Sequence, residues 1–260
     1  MSMAIFHADT DSSRSIRSKE DWFKFAPPKM GKRHWKDGRS AKELARAWFP
    51  GAGPPRVPEE LTLLLESHGK TRGAVIEEGI PERKVLLDRF PGEPRNADLV
   101  LWGHANEKRL VISIEAKADE PFGPTIEERL ASVRKKGVPS NAPQRVTNLC
   151  NWVFGKRPAE CSHLRYQLLH AVAGALIEAE SGKAHVALFI VHEFLSKKAK
   201  ADNIAENAND LLSFLRFFPE LSSITLSEGL LFGPVLAKGS ADMQFRIPLY
   251  LGKITRFLDS

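Results

Sequence analysis

The sequence predicts an α/β sandwich with a central mixed sheet. Helical patterns come first, two apolar strands joined by a short polar turn follow, and further helical patterns surround a mostly apolar strand over 185–194. With 260 residues, 42% of them hydrophobic, the chain suits one sizeable domain or one domain plus an extension. We expect a basic, aromatic N-terminal extension with one helix at 1–57 and the α/β domain at 58–260.

The elements predicted ahead of the two strands are two helices and an ambiguous stretch. Ser40 and Glu43 have the spacing of a capping box, in which a hydroxyl and a carboxylate bond the free amides of a helix start. A helix is therefore expected from there to Pro50. The other elements of this part are a connector over 50–58, a helix over 58–68 and, over 73–90, either two strands or a helix end and a strand.

The two strands, 97–103 and 109–118, predict a β-hairpin because the polar segment between them is short. The apolar run over 185–194 is expected to be a central strand covered on both faces. A last strand over 245–254 is expected at a sheet edge, because Pro248 cannot donate to a ladder. The remaining predictions are a capping box at Thr125 and Glu128 and helices over 126–136, from Asn141 to Val153, from Ser162 to Gly182 and over 201–217.

Positive charge is concentrated near the N-terminus. The chain has a net charge of +6, and residues 14–39 contain nine bases and three acids, so this stretch alone accounts for the excess. Cations for phosphates and flat rings for bases suit a nucleic-acid surface, with Lys32, Arg33 and Lys36 as the predicted phosphate contacts. The alternative is a solvated arm whose rings pack back onto the domain. The interleaved aromatic residues are Trp22, Phe23, Phe25, His34 and Trp35.

Several function classes lack their sequence signatures. No apolar run approaches the roughly 18 residues of a membrane span, and the N-terminus has no export signal, so we expect a cytoplasmic protein without a membrane partner. Patterns typical of serine hydrolases, Walker loops and dinucleotide folds are missing. Two cysteines and eight scattered histidines give little support to a zinc site.

The strongest chemical signal is Asp98 followed by Glu115 and Lys117. Side chains alternate along a strand, so Glu115 and Lys117 project from one face, and Asp98 lies on the adjacent strand of the hairpin. Two carboxylates and an ammonium group at the end of a buried sheet are costly unless a cation or substrate joins them. Carboxylate oxygens suit Mg²⁺ or Mn²⁺. The similar triplet at 82–84 follows a predicted Gly-Ile-Pro turn and is interpreted as a chance match.

This arrangement resembles the PD-(D/E)XK nuclease superfamily. The matching residues are Asp98 in NADLVLW and Glu115-x-Lys117 in ISIEAKADEPFG, and the match covers roughly residues 70–195. Ala97 precedes the aspartate at a position where the family often has a proline. The resemblance implies a restriction-endonuclease-like α/β/α sandwich with a central mixed sheet.

The resemblance also implies hydrolysis of phosphodiester bonds, in DNA more than in RNA. Asp98 and Glu115 would bind Mg²⁺ or Mn²⁺, with the Ala116 carbonyl as a further ligand. Lys117 would position the attacking water. These assignments are those of the family, transferred to the positions that match its motif.

Further site residues follow from the same resemblance. Gln167 is the candidate for a polar residue that some subfamilies place on the following helix, and Arg165 is a candidate phosphate contact. Some subfamilies also use an acid from a preceding helix. Three residues qualify for that role, with no basis for a choice among them: Glu66, Glu77 and Glu78.

Three functions remain open at this point. The first is the metal-dependent nuclease, which the full set of Asp98, Glu115 and Lys117 favours. The second is a nucleic-acid-binding or protein-interaction module that retains the fold without turnover, which the intact set disfavours. The third is a metal hydrolase of smaller phosphoesters, which the basic stretch disfavours. A dimer is compatible with the sequence.

Overall fold

In the computed structural model, which describes residues 4–239 and 246–258, eight strands form one sheet flanked by seven α-helices. The strands are β1 (Ile5–Ala8), β2 (Asp11–Ile16), β3 (Val75–Val85), β4 (Arg95–Ala105), β5 (Lys108–Lys117), β6 (Val186–Leu195), β7 (Leu231–Val235) and β8 (Leu249–Phe257). The helices are α1 (Lys19–Phe25), α2 (Ser40–Trp48), α3 (Glu59–Glu66), α4 (Ile126–Lys136), α5 (Ala142–Phe154), α6 (Tyr166–Ser181) and α7 (Ala201–Arg216). None of these helices has the length and apolar character needed to cross a membrane.

The sheet is mixed, as predicted. Its strand order is β2-β1-β3-β4-β5-β6-β8-β7. The pairs β1/β3, β5/β6 and β6/β8 are parallel, and the other neighbours are antiparallel. β3, β4 and β5 therefore form an antiparallel meander, and the connection through α4, α5 and α6 returns the chain to place β6 beside β5.

Helices cover both faces of the sheet, which makes the architecture an α/β/α sandwich. α4 to α7 cover one face, where Val111 and Leu168 belong to the same buried core. α1 to α3 cover the other, where Trp48 packs in a core with Ile112. Val111 and Ile112 are consecutive on β5 and point into opposite cores, as strand alternation requires. Polar side chains on β5 thus need a partner on one helical layer or the other.

The predicted hairpin and the second capping box are confirmed. β4 and β5 pair antiparallel, and Asn106 and Glu107 connect them with positive φ angles of 47° and 62°, as a two-residue hairpin turn of this hand requires. At the start of α4, the Glu128 amide donates to Thr125 Oγ1 at 3.2 Å, and the Thr125 amide donates to Glu128 Oε2 at 2.8 Å. Local sequence was sufficient for both features.

Two predicted helix starts differ from the structure. The capping box at Ser40 is wrong: the Ser40 hydroxyl donates to Glu120, and the Glu43 carboxylate accepts the Gly38 amide at 2.8 Å. The helix through Gln167 begins at Tyr166 rather than at Ser162. The reason is that Arg165 is extended and forms an isolated bridge with Thr125, so the helix cannot begin earlier.

Two strand predictions were also wrong. The last strand is β8, and it lies between β6 and β7 rather than at an edge. Pro248 precedes the strand and contributes only its carbonyl, which accepts the Ala187 amide at 3.1 Å, so its missing N–H costs nothing; position 245 lies outside the described residues. The ambiguous stretch is one strand, β3, in which Pro81 pairs with Leu99.

The N-terminal segment is part of the sheet, unlike the extension predicted over 1–57. β1 pairs with β3 in parallel and β2 pairs with β1. Phe6 on β1 packs against Trp48 with ring centres 5.0 Å apart. The predicted boundary at residue 57 therefore separates two parts of one core.

The aromatic residues of the basic stretch pack back onto the domain, except His34, which is exposed. Trp22 is fully buried, and Phe23 and Trp35 pack with ring centres 5.1 Å apart. This is the alternative reading of the sequence for those rings. The predicted phosphate contacts remain exposed and form no ion pair with any described residue: Lys32, Arg33 and Lys36.

Candidate active site

Three carboxylates lie side by side across β3, β4 and β5. Leu99 pairs with Ile114, so continuing the antiparallel register places Asp98 opposite Glu115. The pairs Pro81–Leu99 and Arg83–Ala97 likewise place Glu82 opposite Asp98. We call Glu82, Asp98 and Glu115 the acid row.

Glu82 is the member that sequence analysis missed. It lies inside β3 with φ of 52°, an uncommon backbone conformation for a residue other than glycine. Its carboxylate accepts a hydrogen bond from the Asn96 side chain. Such strain persists where surrounding structure enforces it, often at functional sites. The triplet at 82–84 was interpreted as a chance match, but its first residue, Glu82, belongs to the site.

Gln167 joins Lys117 to Glu115. The Lys117 ammonium donates to Gln167 Oε1 at 2.9 Å, and the Gln167 amide nitrogen donates to Glu115 Oε1. Lys117 Nζ also lies 3.4 Å from Glu115 Oε1. The structure therefore brings together the three residues predicted from β5 and the following helix. Both charged side chains are buried, at 4% and 5% side-chain exposure, so this amide fixes where they point.

Asp98 is attached to the backbone of β5. Its Oδ2 accepts the Ala116 amide at 2.7 Å. The β4–β5 ladder ends at Leu99 and Ile114, so the carboxylate continues the pairing where the two backbones stop bonding each other. This bond holds the Asp98 carboxylate beside the Ala116 peptide, the position from which a backbone ligand was predicted.

A buried arginine balances part of the charge. Arg95 Nη2 donates to Glu115 Oε2 at 3.1 Å, and Arg95 Nε donates to His170 Nδ1 at 3.0 Å. Gly174, one turn further along α6, leaves room for this side chain: a Cβ there would lie 3.2 Å from Arg95 Cδ. Sequence analysis identified neither Arg95 nor His170, because their contact depends on how α6 packs on the sheet.

The electrostatics of the acid row are unbalanced. Burial and the Glu115 charge raise the pKa of Asp98 to about 7. Burial and the Asp98 charge raise the pKa of Glu82 to about 9. Burial and the Arg95 charge lower the pKa of His170 well below its usual range, so this ring is neutral at pH 7. Three carboxyl groups thus share two described cations, Arg95 and Lys117, and Glu82 retains a proton.

The donor set suits a hard divalent cation in its chemistry. Glu82, Asp98 and Glu115 offer carboxylate oxygens, and a cation would supply the positive charge that the row lacks. No group of three or more acidic, histidine or cysteine residues in the described ranges is arranged to hold a metal. Both Glu115 oxygens are engaged by Arg95, Lys117 and Gln167, so metal binding requires Glu115 to exchange one of these contacts.

The other predicted site residues lie elsewhere. Arg165 is engaged by the Asp210 carboxylate at 2.7 Å, the Gly123 carbonyl at 2.8 Å and Glu206 at 2.6 Å, so the guanidinium anchors α7 instead of facing solvent. The three upstream candidates are also engaged outside the acid row. Glu66 accepts the amide of Gly73, Glu77 pairs with His104, and Glu78 pairs with His7.

A second, partly buried polar group lies on the opposite face of the sheet. Glu60 on α3 accepts from Arg256 with both oxygens at 2.8 Å and lies 2.7 Å from His192 Nε2. Burial opposes ionisation, but the hydrogen bonds from His192 and Arg256 hold the pKa of Glu60 at about 2. We call these three residues the Glu60 cluster. His192 is therefore a hydrogen-bonded core histidine, as the sequence suggested.

A cavity of about 820 Å³ contacts the acid row at Glu82. Arg95 and His170 also line it, together with Arg129 of α4 and Tyr166 of α6. This places one end of the row in contact with a space large enough for a small molecule or part of a polymer.

The chain belongs to the family described as a domain of unknown function, DUF6946, whose model matches residues 15–256. The match spans the predicted boundary at residue 57, as the sheet does. No curated protein and no solved structure matches the chain.

Proposed function

We propose that this member of the DUF6946 family is a metal-dependent nuclease of restriction-endonuclease-like fold that hydrolyses phosphodiester bonds in DNA. The observation that supports it best is the acid row with Lys117 held beside Glu115 by Gln167. The mixed sheet with helices on both faces agrees with the fold that the resemblance implies.

The buried charges are expensive to maintain, and that cost supports a function. Burial, and after it the charge of a neighbouring carboxylate, raises the pKa values of Asp98 and Glu82. A purely structural site gains nothing from this cost, since apolar side chains of similar volume are often at least as stabilising. In a site that binds a metal cation and a phosphate, by contrast, the bound cation supplies the missing positive charge.

Lys117 has the position of a proton-handling or water-orienting group. Its ammonium is buried, has its direction set by Gln167 Oε1, and lies 5.0 Å from the centre of the Phe122 ring. Low local dielectric strengthens its effect on a nearby negative charge. Asp98, Glu115 and Glu82 would hold Mg²⁺ or Mn²⁺, which when bound supplies stabilisation for the charge that develops on the phosphate.

The first test is Mn²⁺ binding by calorimetry, with and without a mixed-sequence oligonucleotide. Asp98→Asn should abolish binding, because it removes a charged oxygen ligand while keeping the side-chain shape. Glu78→Gln is the matched control, since it removes a carboxylate from the same sheet outside the acid row. Equal Mn²⁺ binding by wild type and Asp98→Asn, or none by either, would refute the metal site and favour a non-catalytic binding module.

The second test is cleavage of single- and double-stranded DNA and of RNA in the presence of Mg²⁺ or Mn²⁺. Wild type and Glu78→Gln should cleave DNA, whereas Asp98→Asn should not. Metal binding without cleavage of any of these polymers would contradict the nuclease and favour a smaller phosphoester as substrate.

DNA affinity is expected to depend on the exposed bases of the basic stretch. Replacing Lys32, Arg33 and Lys36 by alanine should reduce the slope of log affinity against log salt by about three, since each lost phosphate contact removes about 0.9. The Mn²⁺ affinity should not change. An unaltered salt slope would exclude this surface as a phosphate contact.

A further inference from the structure

The cavity beside the acid row contains a cation that the described residues do not neutralise. Arg129 lines the cavity, and its buried Nε has no hydrogen-bond partner among the described residues. The guanidinium lies 5.8 Å from the centre of the Tyr166 ring, a contact that orients its plane without satisfying its N–H groups. Arg129 forms no ion pair within the described part of the chain.

A second unsatisfied donor belongs to the same cavity wall. The Arg95 side chain is only 2% exposed, and Nη1 is its one nitrogen without a hydrogen-bond partner in the described residues. Buried guanidinium N–H groups are seldom left unpaired, because each loses its water without replacement. Arg95 and Arg129 thus each have a hydrogen-bond donor for which the described residues provide no acceptor.

Two other basic residues of the cavity have acidic partners, and a third, Lys84, is exposed to solvent. Arg145 donates to Asp88 at 2.5 and 2.9 Å, and Lys29 pairs with Glu93 at 2.5 Å. Arg129 therefore differs from these cations in lacking a counter-charge. A planar guanidinium with free N–H groups is suited to a phosphate, which offers several oxygens at matching spacing.

We infer that this cavity binds a phosphate group of a nucleic-acid strand through Arg129, with Arg95 as the buried second donor. A volume of about 820 Å³ is in the range of small-molecule sites, so it accommodates a strand end or a nucleotide rather than a duplex. Its contact with Glu82 would place this phosphate next to the reacting one. The identity of the ligand as nucleic acid rests on the proposed nuclease function, and the phosphate site itself does not.

The test measures binding of short single-stranded oligonucleotides by fluorescence anisotropy in the presence of EDTA, with either a 5′-phosphate or a 5′-hydroxyl. Arg129→Met should weaken binding about tenfold, as expected for loss of a charge-assisted contact. Arg134→Met is the matched control, because Arg134 is an exposed arginine on the same helix, and it should bind like wild type. Inorganic phosphate should compete with the oligonucleotide in wild type and less so in Arg129→Met.

The two oligonucleotides distinguish the source of the phosphate. A loss confined to the 5′-phosphorylated oligonucleotide would identify a terminal phosphate, and an equal loss for both would identify an internal one. Equal affinities of Arg129→Met and Arg134→Met, with both folded by thermal melting, would overturn the inference. This binding assay contains EDTA and does not depend on cleavage, so it tests the phosphate site separately from the nuclease function. A protein that binds in this assay but does not cleave DNA with Mg²⁺ or Mn²⁺ would retain the phosphate site and lose the proposed nuclease function.

Discussion

The acid row and the Glu60 cluster are two partly buried charged groups on opposite faces of the same sheet. They are nearly back to back, since Ala116 on β5 pairs with His192 on β6. In the Glu60 cluster one carboxylate has an arginine and a histidine, and the pKa of Glu60 is held at about 2. In the acid row three carboxyl groups share two cations, and the pKa values of Asp98 and Glu82 rise to about 7 and 9.

Burial alone does not explain this difference, because burial raises the carboxyl pKa in both groups. The difference is the number of donors supplied per carboxylate. Glu60 is satisfied by its neighbours and ties α3 to β6 and β8. The acid row is left short of positive charge, and for that reason it is the candidate for binding a cation and a substrate. Four predictions test this contrast, from the largest expected effect to the smallest.

Lys117→Met should reduce DNA cleavage by about 10²- to 10⁴-fold, the usual effect of losing a proton-handling group. The thermal melting midpoint should change little, because Glu115 retains Arg95. The comparison depends on Glu60→Gln cleaving DNA at nearly the wild-type rate under conditions where it is folded. Full activity of Lys117→Met would contradict the catalytic role proposed for the residues around the acid row.

Glu60→Gln should lower the free energy of unfolding by about 3 kcal/mol at pH 7, because it leaves the half-buried Arg256 without its counter-charge and weakens the hydrogen bond of buried His192. The folded pKa of about 2 lies below the usual 4.5, so the contribution of Glu60 is complete above pH 4.5 and is lost as pH falls toward 2. Urea unfolding at pH 7 and at pH 4 should therefore show the deficit shrinking with acidity. A deficit that is small at pH 7, or that grows with acidity, would contradict a structural role for this cluster.

Gln167→Met should reduce cleavage about tenfold, less than Lys117→Met. It removes both hydrogen bonds of the amide, but Lys117 and Glu115 remain within 3.4 Å of each other. Gln167 is a positioning residue, so kcat should fall with little change in KM, and Gln167→Glu should shift the pH profile of cleavage. A change in melting temperature with no change in either kinetic constant would show that the residue serves only packing.

Glu82→Gln should raise the free energy of unfolding at pH 8 and have a much smaller effect at pH 5. The folded pKa of about 9 lies above the usual 4.5, so the folded protein holds a proton that the unfolded chain releases, and wild-type stability falls as pH rises between these values. Glu82 thus makes wild-type stability fall as pH rises, whereas Glu60 makes it rise. Chemical denaturation over this pH range would contradict it if Glu82→Gln lost stability with rising pH as steeply as wild type.

The hairpin and the placement of Asp98, Glu115 and Lys117 could be predicted because they rest on local rules. Strand alternation and a short polar turn place these three residues on one face. Gln167 follows from a resemblance that the packing of α6 satisfies. Strand alternation and the hairpin turn require no knowledge of distant contacts.

Glu82 could not be predicted in the same way. Its side chain joins the row only through the register of β3 on β4 and a left-handed backbone inside the strand. The role of Arg95 depends similarly on the space above Gly174, and that of Arg165 on two acids from α7. Short-range patterns do not predict the left-handed backbone at Glu82, and the contacts of Arg95 and Arg165 join elements that lie far apart in the chain.

The alternation along β5 has a consequence for how the chain avoids misfolding. If β5 slipped by one residue against β4, Glu115 and Lys117 would turn into the apolar layer beneath α2 and α3, and Ile114 and Ala116 would face Gln167. Two uncompensated charges in that layer would cost far more than any backbone bonds the slipped pairing could make. The same side chains proposed for chemistry therefore lock the strand register, and a variant with an apolar site would lose this protection against mispaired, aggregation-prone states.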